Sequence, residues 1–109
     1  MRSLEPKKLL TLITAHAFKG IVIERLKARE VGGYTLVDAT GVGAFGVQSG
    51  ALDSDSNVLI YVILSEARLN ALLEDFDDLM NRSYRLKVIV TDVMILPRKQ
   101  PTAAQTGRI

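Results

Sequence analysis

The sequence predicts an α+β fold with four β-strands and two α-helices in the order βαββαβ. Four apolar runs have the length and composition of strands, and two segments have helical periodicity. A long glycine-rich connection lies between the second and third strands. The order repeats one strand-helix-strand unit, which is the ferredoxin-like plan. In that plan two helices cover one face of an antiparallel four-stranded sheet.

Length and composition predict one domain with an aliphatic core. The 109 residues match the usual size of a domain, so we expect a single domain over residues 1–109. Its core is expected over about 7–97, with an adaptable C-terminal tail at 98–109. Hydrophobic residues make up 48% of the chain and aromatic residues 6%, with no Trp, so the core must consist mainly of Leu, Ile, Val and Ala.

The sequence also argues against several kinds of protein. It has no cysteine, which excludes disulfides and thiol catalysis. No apolar run approaches the roughly 20 residues of a membrane helix, and the N-terminal segment is too polar for a signal peptide. We therefore expect a cytoplasmic protein without membrane insertion. The net charge is +2, but the charges are interleaved and form no basic stripe with aromatic residues, so no nucleic-acid partner is expected.

No catalytic or metal site is predicted. His16 is the only histidine, and it has neither a nucleophile nor further ligands nearby in the sequence. The segment 53–57 imitates the start of a calcium loop, but the sixth position, which must be glycine, is Val58. We therefore expect a protein that is not an enzyme and that holds no metal.

The first half of the chain predicts a strand, a helix and a second strand. Residues 7–14 form a short apolar run after Pro6, which suits the start of a strand. A helix is expected over 18–31 and is followed by Gly32 and Gly33 as the stop signal. The second strand is expected over 34–40. The apolar face of this helix consists of Val22, Ile23 and Leu26.

The second half predicts a strand, the clearest helix and a last strand. Residues 58–64 form the third strand, and Ser65 is a suitable N-cap for the helix that follows. The fourth strand is expected over 86–96. The acidic run Glu74-Asp75-Asp77-Asp78 is interpreted as a solvated helix face. The apolar stripe of the second helix consists of Leu69, Leu72, Leu73, Phe76, Leu79 and Met80.

The third strand is apolar on both faces, which predicts an oligomer. Because side chains alternate along a strand, Val58, Ile60, Val62 and Leu64 share one face and Leu59, Tyr61 and Ile63 share the other. Two helices cover only one side of the sheet. The uncovered apolar side is therefore expected to pack against further copies of the chain.

The connection between the second and third strands is the first place to look for function. It contains four glycines, which permit positive φ and a close approach to a ligand, namely Gly41, Gly43, Gly46 and Gly50. A dinucleotide fingerprint is unsupported, because no helical pattern follows the glycines. A flexible polar connector remains an alternative.

Several spaced motifs in the chain resemble the PII signal-transduction family. Gly33-Tyr34-Thr35 precedes Gly41-Val42-Gly43 across the second strand, and the resemblance extends over about residues 7–99. The resemblance implies a homotrimer with an adenine nucleotide in each cleft between subunits. The long loop, called the T-loop, would signal to a partner protein through residues 44–56. The other shared motifs are Lys7-Lys8, Phe18-Lys19 and Thr91-Asp92-Val93.

The resemblance also implies a nucleotide site. Thr35 and the Ile63-Leu64 backbone would line the adenine pocket. The loop base near the phosphates would consist of Gly41, Val42, Gly43 and Ala44. Among the nearby cations, we predict that Arg85, Lys87 and Arg98 neutralise phosphate, since Arg binds it with two parallel hydrogen bonds. Alternatively, these cations are solvated surface charges.

Two differences from nitrogen-regulating members point to one branch of the family. Residues 81–85 lack the glycines of their phosphate loop, and residues 44–56 contain no tyrosine. The chain thus looks like the PII-like branch associated with inorganic-carbon uptake and carboxysomes, whose members bind ADP, AMP or cyclic AMP and in some cases bicarbonate. The expected function is nucleotide sensing that signals to a carbon-fixation or transport partner. The alternative is a metal-binding protein or small enzyme on a similar trimer.

Overall fold

The structure, a computed structural model, describes residues 1–40 and 56–98, so the predictions for Gly41 to Ala44 and for most of the C-terminal tail lie outside it. The predicted order βαββαβ is confirmed. The elements are β1 (Glu5–Ala15), a 3₁₀ turn (His16–Phe18), α1 (Lys19–Ala28), β2 (Thr35–Thr40), β3 (Ser56–Leu64), α2 (Glu66–Asn81) and β4 (Leu86–Ile95).

The four strands form one antiparallel sheet in the order β2-β3-β1-β4. The central strands β1 and β3 pair with each other, and β2 and β4 form the two edges. Each helix connects two strands that are separated by one intervening strand, as in a split βαβ unit. The ferredoxin-like prediction is therefore confirmed.

Side-chain alternation places the core between the sheet and the helices. Residues paired across β1 and β3, such as Leu12 with Ile60 and Leu10 with Val62, are fully or almost fully buried. The helices complete the core with Val22, Leu26, Leu69, Leu72, Phe76 and Leu79. Burial of one such side chain contributes about 1.5–3 kcal/mol. The alternate positions of both strands face away from the helices.

The helix α2 begins where its sequence predicts. The Ser65 hydroxyl accepts a hydrogen bond from the Arg68 backbone N–H at 3.3 Å, which caps the first turn. Glu66 lies in that turn, where its negative charge interacts favourably with the positive end of the helix dipole. The predicted apolar stripe is wrong at Met80, which is 40% exposed at the margin of the buried face.

The helix α1 ends earlier than predicted, and the residue that turns the chain at its end is not a glycine. It stops at Ala28, and Glu30 rather than a glycine takes the left-handed conformation, with φ of 56°. The Arg68 guanidinium donates to the carbonyls of Arg29 and Glu30 at 3.1 and 2.9 Å. These bonds satisfy carbonyls at the helix end and offset the strain at Glu30. Gly32, with φ of 89°, turns the chain afterwards.

An ion-pair network joins the two helices on their outer side. The Arg29 guanidinium donates from Nε and Nη2 to Asp75 at 2.8 and 2.9 Å, and Arg25 lies 3.6 Å from the same carboxylate. Asp78 pairs with Arg25 and Arg82. Asp75 is 14% exposed, so interpreting the acidic run as a solvated face was wrong for this residue. Its hydrogen bonds with Arg29 lower the pKa of Asp75.

We expect Asp75→Asn to lower the free energy of unfolding by about 1 kcal/mol at neutral pH, because a charge-assisted pair is lost. Since the folded-state pKa of Asp75 is lowered, the ionised carboxylate stabilises the fold above about pH 4, the unfolded pKa. That stabilisation disappears as the pH falls through the lower folded pKa. Urea unfolding against pH measures this, with Asp77→Asn, an exposed position on the same helix, as the control. If the difference in free energy of unfolding between wild type and Asp75→Asn stayed the same in acid, the stabilising role assigned to the ionised Asp75 would be contradicted.

Candidate functional site

The sheet has two ends that matter for the site. At the loop end, β2 finishes at Thr40, β3 starts at Ser56 and β4 starts at Leu86. At the opposite end, which we call the arm end, β3 finishes at Leu64 and β1 starts at Glu5. The glycine-rich loop therefore leaves and re-enters the sheet at the loop end.

Two predicted adenine-site residues lie together on the uncovered face. Thr35 is exposed and pairs with Tyr61 across the β2–β3 ladder. Ile63 is two residues further along β3 on the same face, so it is a diagonal neighbour of Thr35, and it is 49% exposed. The structure thus brings Thr35 and Ile63 together at the β2 edge.

The backbone beside these side chains is open. The β2–β3 ladder ends at the pair Thr35 and Tyr61, whereas β3 continues to Leu64. Within the described residues, the end of β3 therefore has a strand partner only on its β1 side. Leu64 is 4% exposed, so its side chain belongs to the core and only its backbone can serve a ligand. Backbone N–H and C=O groups on the open side offer adjacent donors and acceptors.

The predicted cations Arg85 and Lys87 lie at the other sheet edge. Arg85 precedes β4, and the fully buried Thr14 donates its hydroxyl proton to the Arg85 carbonyl at 2.7 Å. This bond fixes the start of β4 at the loop end. Lys87 is exposed on the uncovered face, opposite Ile13. Three strand spacings separate β4 from β2, or about 14 Å, so one protomer does not join these cations to Thr35.

Arg98 lies far from the other two cations. It follows β4 at the arm end, whereas Arg85 precedes that strand, and ten residues of strand span about 30 Å. The Arg98 carbonyl accepts a hydrogen bond from Arg2 Nη2 at 3.0 Å. The cations that we predicted as one group are therefore divided between the two ends of the sheet.

Two motifs from opposite ends of the chain face each other across β1 and β4. Lys8 is the register partner of Asp92, and Lys7 is the partner of Val93. Lys8 and Asp92 form an ion pair, and its hydrogen bond raises the pKa of the Lys8 ammonium. The sequence contains both motifs but does not indicate that they meet, because Lys8 and Asp92 are separated by 84 positions.

The single histidine lies near the loop end without forming a metal centre. His16 Nε2 is 3.9 Å from an oxygen of Asp38, and a cavity of about 270 Å³ lies against His16 and Ser56. In the described part of the chain, no group of three or more His, Cys, Asp or Glu side chains could hold a metal ion. No helix in residues 1–40 and 56–98 is long and apolar enough to cross a membrane.

Known proteins share this fold. A family model, "Nitrogen regulatory protein P-II", matches residues 7–99. CPII from Thiomonas intermedia K12, bound to ADP and bicarbonate, is 28% identical with a TM-score of 0.74, over 89% of this chain and 95% of that one. The same protein with ADP, AMP and bicarbonate is 26% identical with a TM-score of 0.73, over 89% of this chain and 99% of that one.

A more distant structure supports the fold alone. The putative PII-like signalling protein TTHA0516 from Thermus thermophilus is 24% identical with a TM-score of 0.70, over 86% of this chain and 93% of that chain. No curated protein matches the chain significantly. The family model nevertheless spans most of the sequence, including both sheet edges and both helices. The chain therefore belongs to the P-II family, and within it to the PII-like proteins.

Proposed function

We propose that this protein is a non-catalytic PII-like regulator that binds ADP or AMP between the subunits of a homotrimer. The observation that carries the proposal is the open backbone edge at Ile63 and Leu64 beside Thr35. Related CPII structures were solved with ADP, AMP and bicarbonate. In this proposal the loop, through residues 44–56, signals the nucleotide state to a partner protein.

The β2 edge has the chemistry of an adenine pocket. Adenine carries a donor amino group beside an acceptor ring nitrogen, and a strand edge offers the matching backbone acceptor and donor. The exposed Ile63 side chain supplies an apolar wall, and the Thr35 hydroxyl supplies a further polar contact. These groups recognise the base without any charged side chain.

The uncovered sheet face is the proposed trimer interface. Apart from the buried Asn57, its side chains are half-buried or exposed, although most are apolar, and such a surface normally marks an interaction site. The apolar members include Leu9, Ile13, Val37, Leu59, Ile63 and Ile89. Face-to-face contact among three copies would remove them from water.

A ring of copies also explains why the predicted site is divided in one protomer. The edges β2 and β4 lie on opposite sides of the sheet, so a head-to-tail ring brings β4 of one copy beside β2 of the next. Arg85 and Lys87 then approach the neighbouring loop base, since both lie at the loop end. There they would neutralise phosphate together with backbone N–H groups of residues 41–44.

In the proposed ring, Arg98 does not lie near the phosphate site. Arg98 lies at the arm end, together with Ile63 and Leu64, and not with the loop base. We therefore propose Arg85 and Lys87 as the phosphate ligands. Bicarbonate would bind close to the same two cations, because a second anion beside a phosphate requires positive charge.

The biological role that we propose is that of the PII-like branch which the sequence resembles. We propose that the partner is a carbon-fixation or transport protein, and that the regulator acts in the cytoplasm with association to a carboxysome. Cyclic AMP is a further candidate ligand, because it presents the same adenine edge. ADP differs from cyclic AMP by a second phosphate, whose charge Arg85 and Lys87 would neutralise.

We expect calorimetry to detect ADP binding to the purified protein, and Arg85→Ala to weaken it about tenfold, since a hydrogen bond to a charged group is lost. The matched control is Lys27→Ala, which removes an exposed cation from α1 and should leave the affinity unchanged. Equal ADP affinity in wild type and Arg85→Ala would remove Arg85 from the site. Absence of binding by ADP, AMP and cyclic AMP would contradict the proposed function.

We expect Ile89→Asp and Ile60→Asp to fail in different ways. Ile89 is 42% exposed on the uncovered face, so its carboxylate should dissociate the trimer into folded chains. Ile60 is fully buried under the helices, where an unpaired charge costs several kcal/mol and should unfold the chain. Light scattering gives the mass and circular dichroism the folding. A wild-type protein that remains a single chain at micromolar concentration would contradict the trimer.

A further inference from the structure

Part of the sheet projects beyond its four-stranded body. β3 ends at Leu64, which pairs with Lys8, so the preceding residues of β1 pair only with β4 in the described chain. We call this two-stranded extension, residues 4–7 and 93–96, the arm. An isolated two-stranded ribbon is marginally stable in water, so contacts on its faces would help to hold it. The family model begins at residue 7, and Leu4 and Pro6 therefore precede the matched segment.

The arm exposes an apolar patch on its helix side. Pro6 and Met94 are register partners, and alternation places Leu4 and Leu96, one residue beyond the strand ends, on the same side. Leu4, Met94 and Leu96 are 59%, 57% and 58% exposed. The patch thus consists of the pair Pro6 and Met94 and of Leu4 and Leu96, which lie one residue beyond the last register pair, Glu5 with Ile95. Because the proposed trimer uses the opposite face of the sheet, this patch would remain exposed in it.

A groove adjoins the patch. It has a volume of about 360 Å³, and its lining includes Pro6 and Met94, the ion pair of Lys8 and Asp92, and the neighbouring pair Lys7 and Val93. Glu66, in the first turn of α2, forms part of the wall. This volume suits one large apolar side chain with its neighbouring backbone.

Charge complementarity indicates which partner fits the groove. The tip of the arm carries two exposed cations, Arg2 and Arg98. The groove is lined by two carboxylates, Glu66 and Asp92, and by two lysines, Lys7 and Lys8. Although Asp92 pairs with Lys8, its side chain is 83% exposed and is open to a second cation. If two arms lie antiparallel, with a two-fold axis passing at residue 95, Leu96 of one copy lies over Met94 of the other. The same overlay puts Arg98 of one copy over Asp92 of the second. The arm is therefore complementary to itself, as a two-fold contact requires.

We propose that the arm is a two-fold docking surface for a second copy of this chain, with each Leu96 side chain filling the other copy's groove. The proposal rests on the trimer of the proposed function for its stoichiometry. Cyclic symmetry places all three arms at the same end of the ring, away from the loops. Three contacts in parallel then join two trimers back to back, since linked weak contacts act together. The loops stay free at both ends of the six-chain assembly.

Sedimentation of the full chain without nucleotide tests the arm. We expect wild type to have twice the mass of Met94→Glu, because a carboxylate in the patch prevents docking. The matched control is Met80→Glu, which changes another exposed methionine on α2 and should keep the wild-type mass. Equal masses for wild type and Met94→Glu from micromolar to millimolar concentration would overturn the proposal.

The outcomes separate the arm contact from the trimer. Three chains in both wild type and Met94→Glu would overturn the arm and leave the trimer intact. Two chains in wild type and one in Met94→Glu would support the arm contact and contradict the trimer.

A charge swap tests the register of the two arms. Arg98→Asp alone should lower the mass, and the double variant Arg98→Asp with Asp92→Arg should restore it. A folded double variant that stays at half the wild-type mass would overturn the antiparallel register.

Discussion

The structure depends on the alternation of side chains along β1 and β3, the two central strands. One set of positions, including Leu12 and Ile60, is buried beneath both helices and forms the core. The other set, including Leu9 and Ile63, is also largely apolar but lies on the side of the sheet that neither helix covers. A single pattern therefore supports both the stability of the chain and its assembly. The proposed binding site follows, because the assembly determines which sheet edges meet.

The sequence predicted the fold well wherever local signals agreed with one another. Helix α2 has a capping serine, an acidic first turn and an apolar stripe, and the structure begins it where those signals place it. The end of α1 was predicted less well. Glu30 holds a left-handed conformation with support from Arg68, which lies 38 positions away in the sequence. The same limit applies to Asp75, whose partner Arg29 lies on the other helix. Periodicity within one element carries no information about such partners.

The candidate site was predictable on one edge of the sheet and not across it. Thr35 and Ile63 come together because the register of two neighbouring strands follows from their own patterns. Arg85 and Arg98 were grouped by charge and by position near the last strand. The structure separates them, because they flank opposite ends of that strand. The ferredoxin-like plan puts β2 and β4 on opposite edges, so the separation of Arg85 from Thr35 follows from the fold and not from residue spacing along the chain.

Mixing experiments test most directly whether each nucleotide site is shared between two chains. One parent would carry Arg85→Glu on the β4 edge, and the other would carry Thr35→Trp, which blocks the β2 edge. Each parent alone should bind ADP weakly, because every interface in its trimer contains a defect. In trimers reassembled from both chains, some interfaces combine the intact β4 edge of the Thr35→Trp chain with the intact β2 edge of the Arg85→Glu chain. Calorimetry should therefore detect wild-type affinity at a fraction of the sites. Mixed trimers that bind ADP no better than either parent would contradict the shared site.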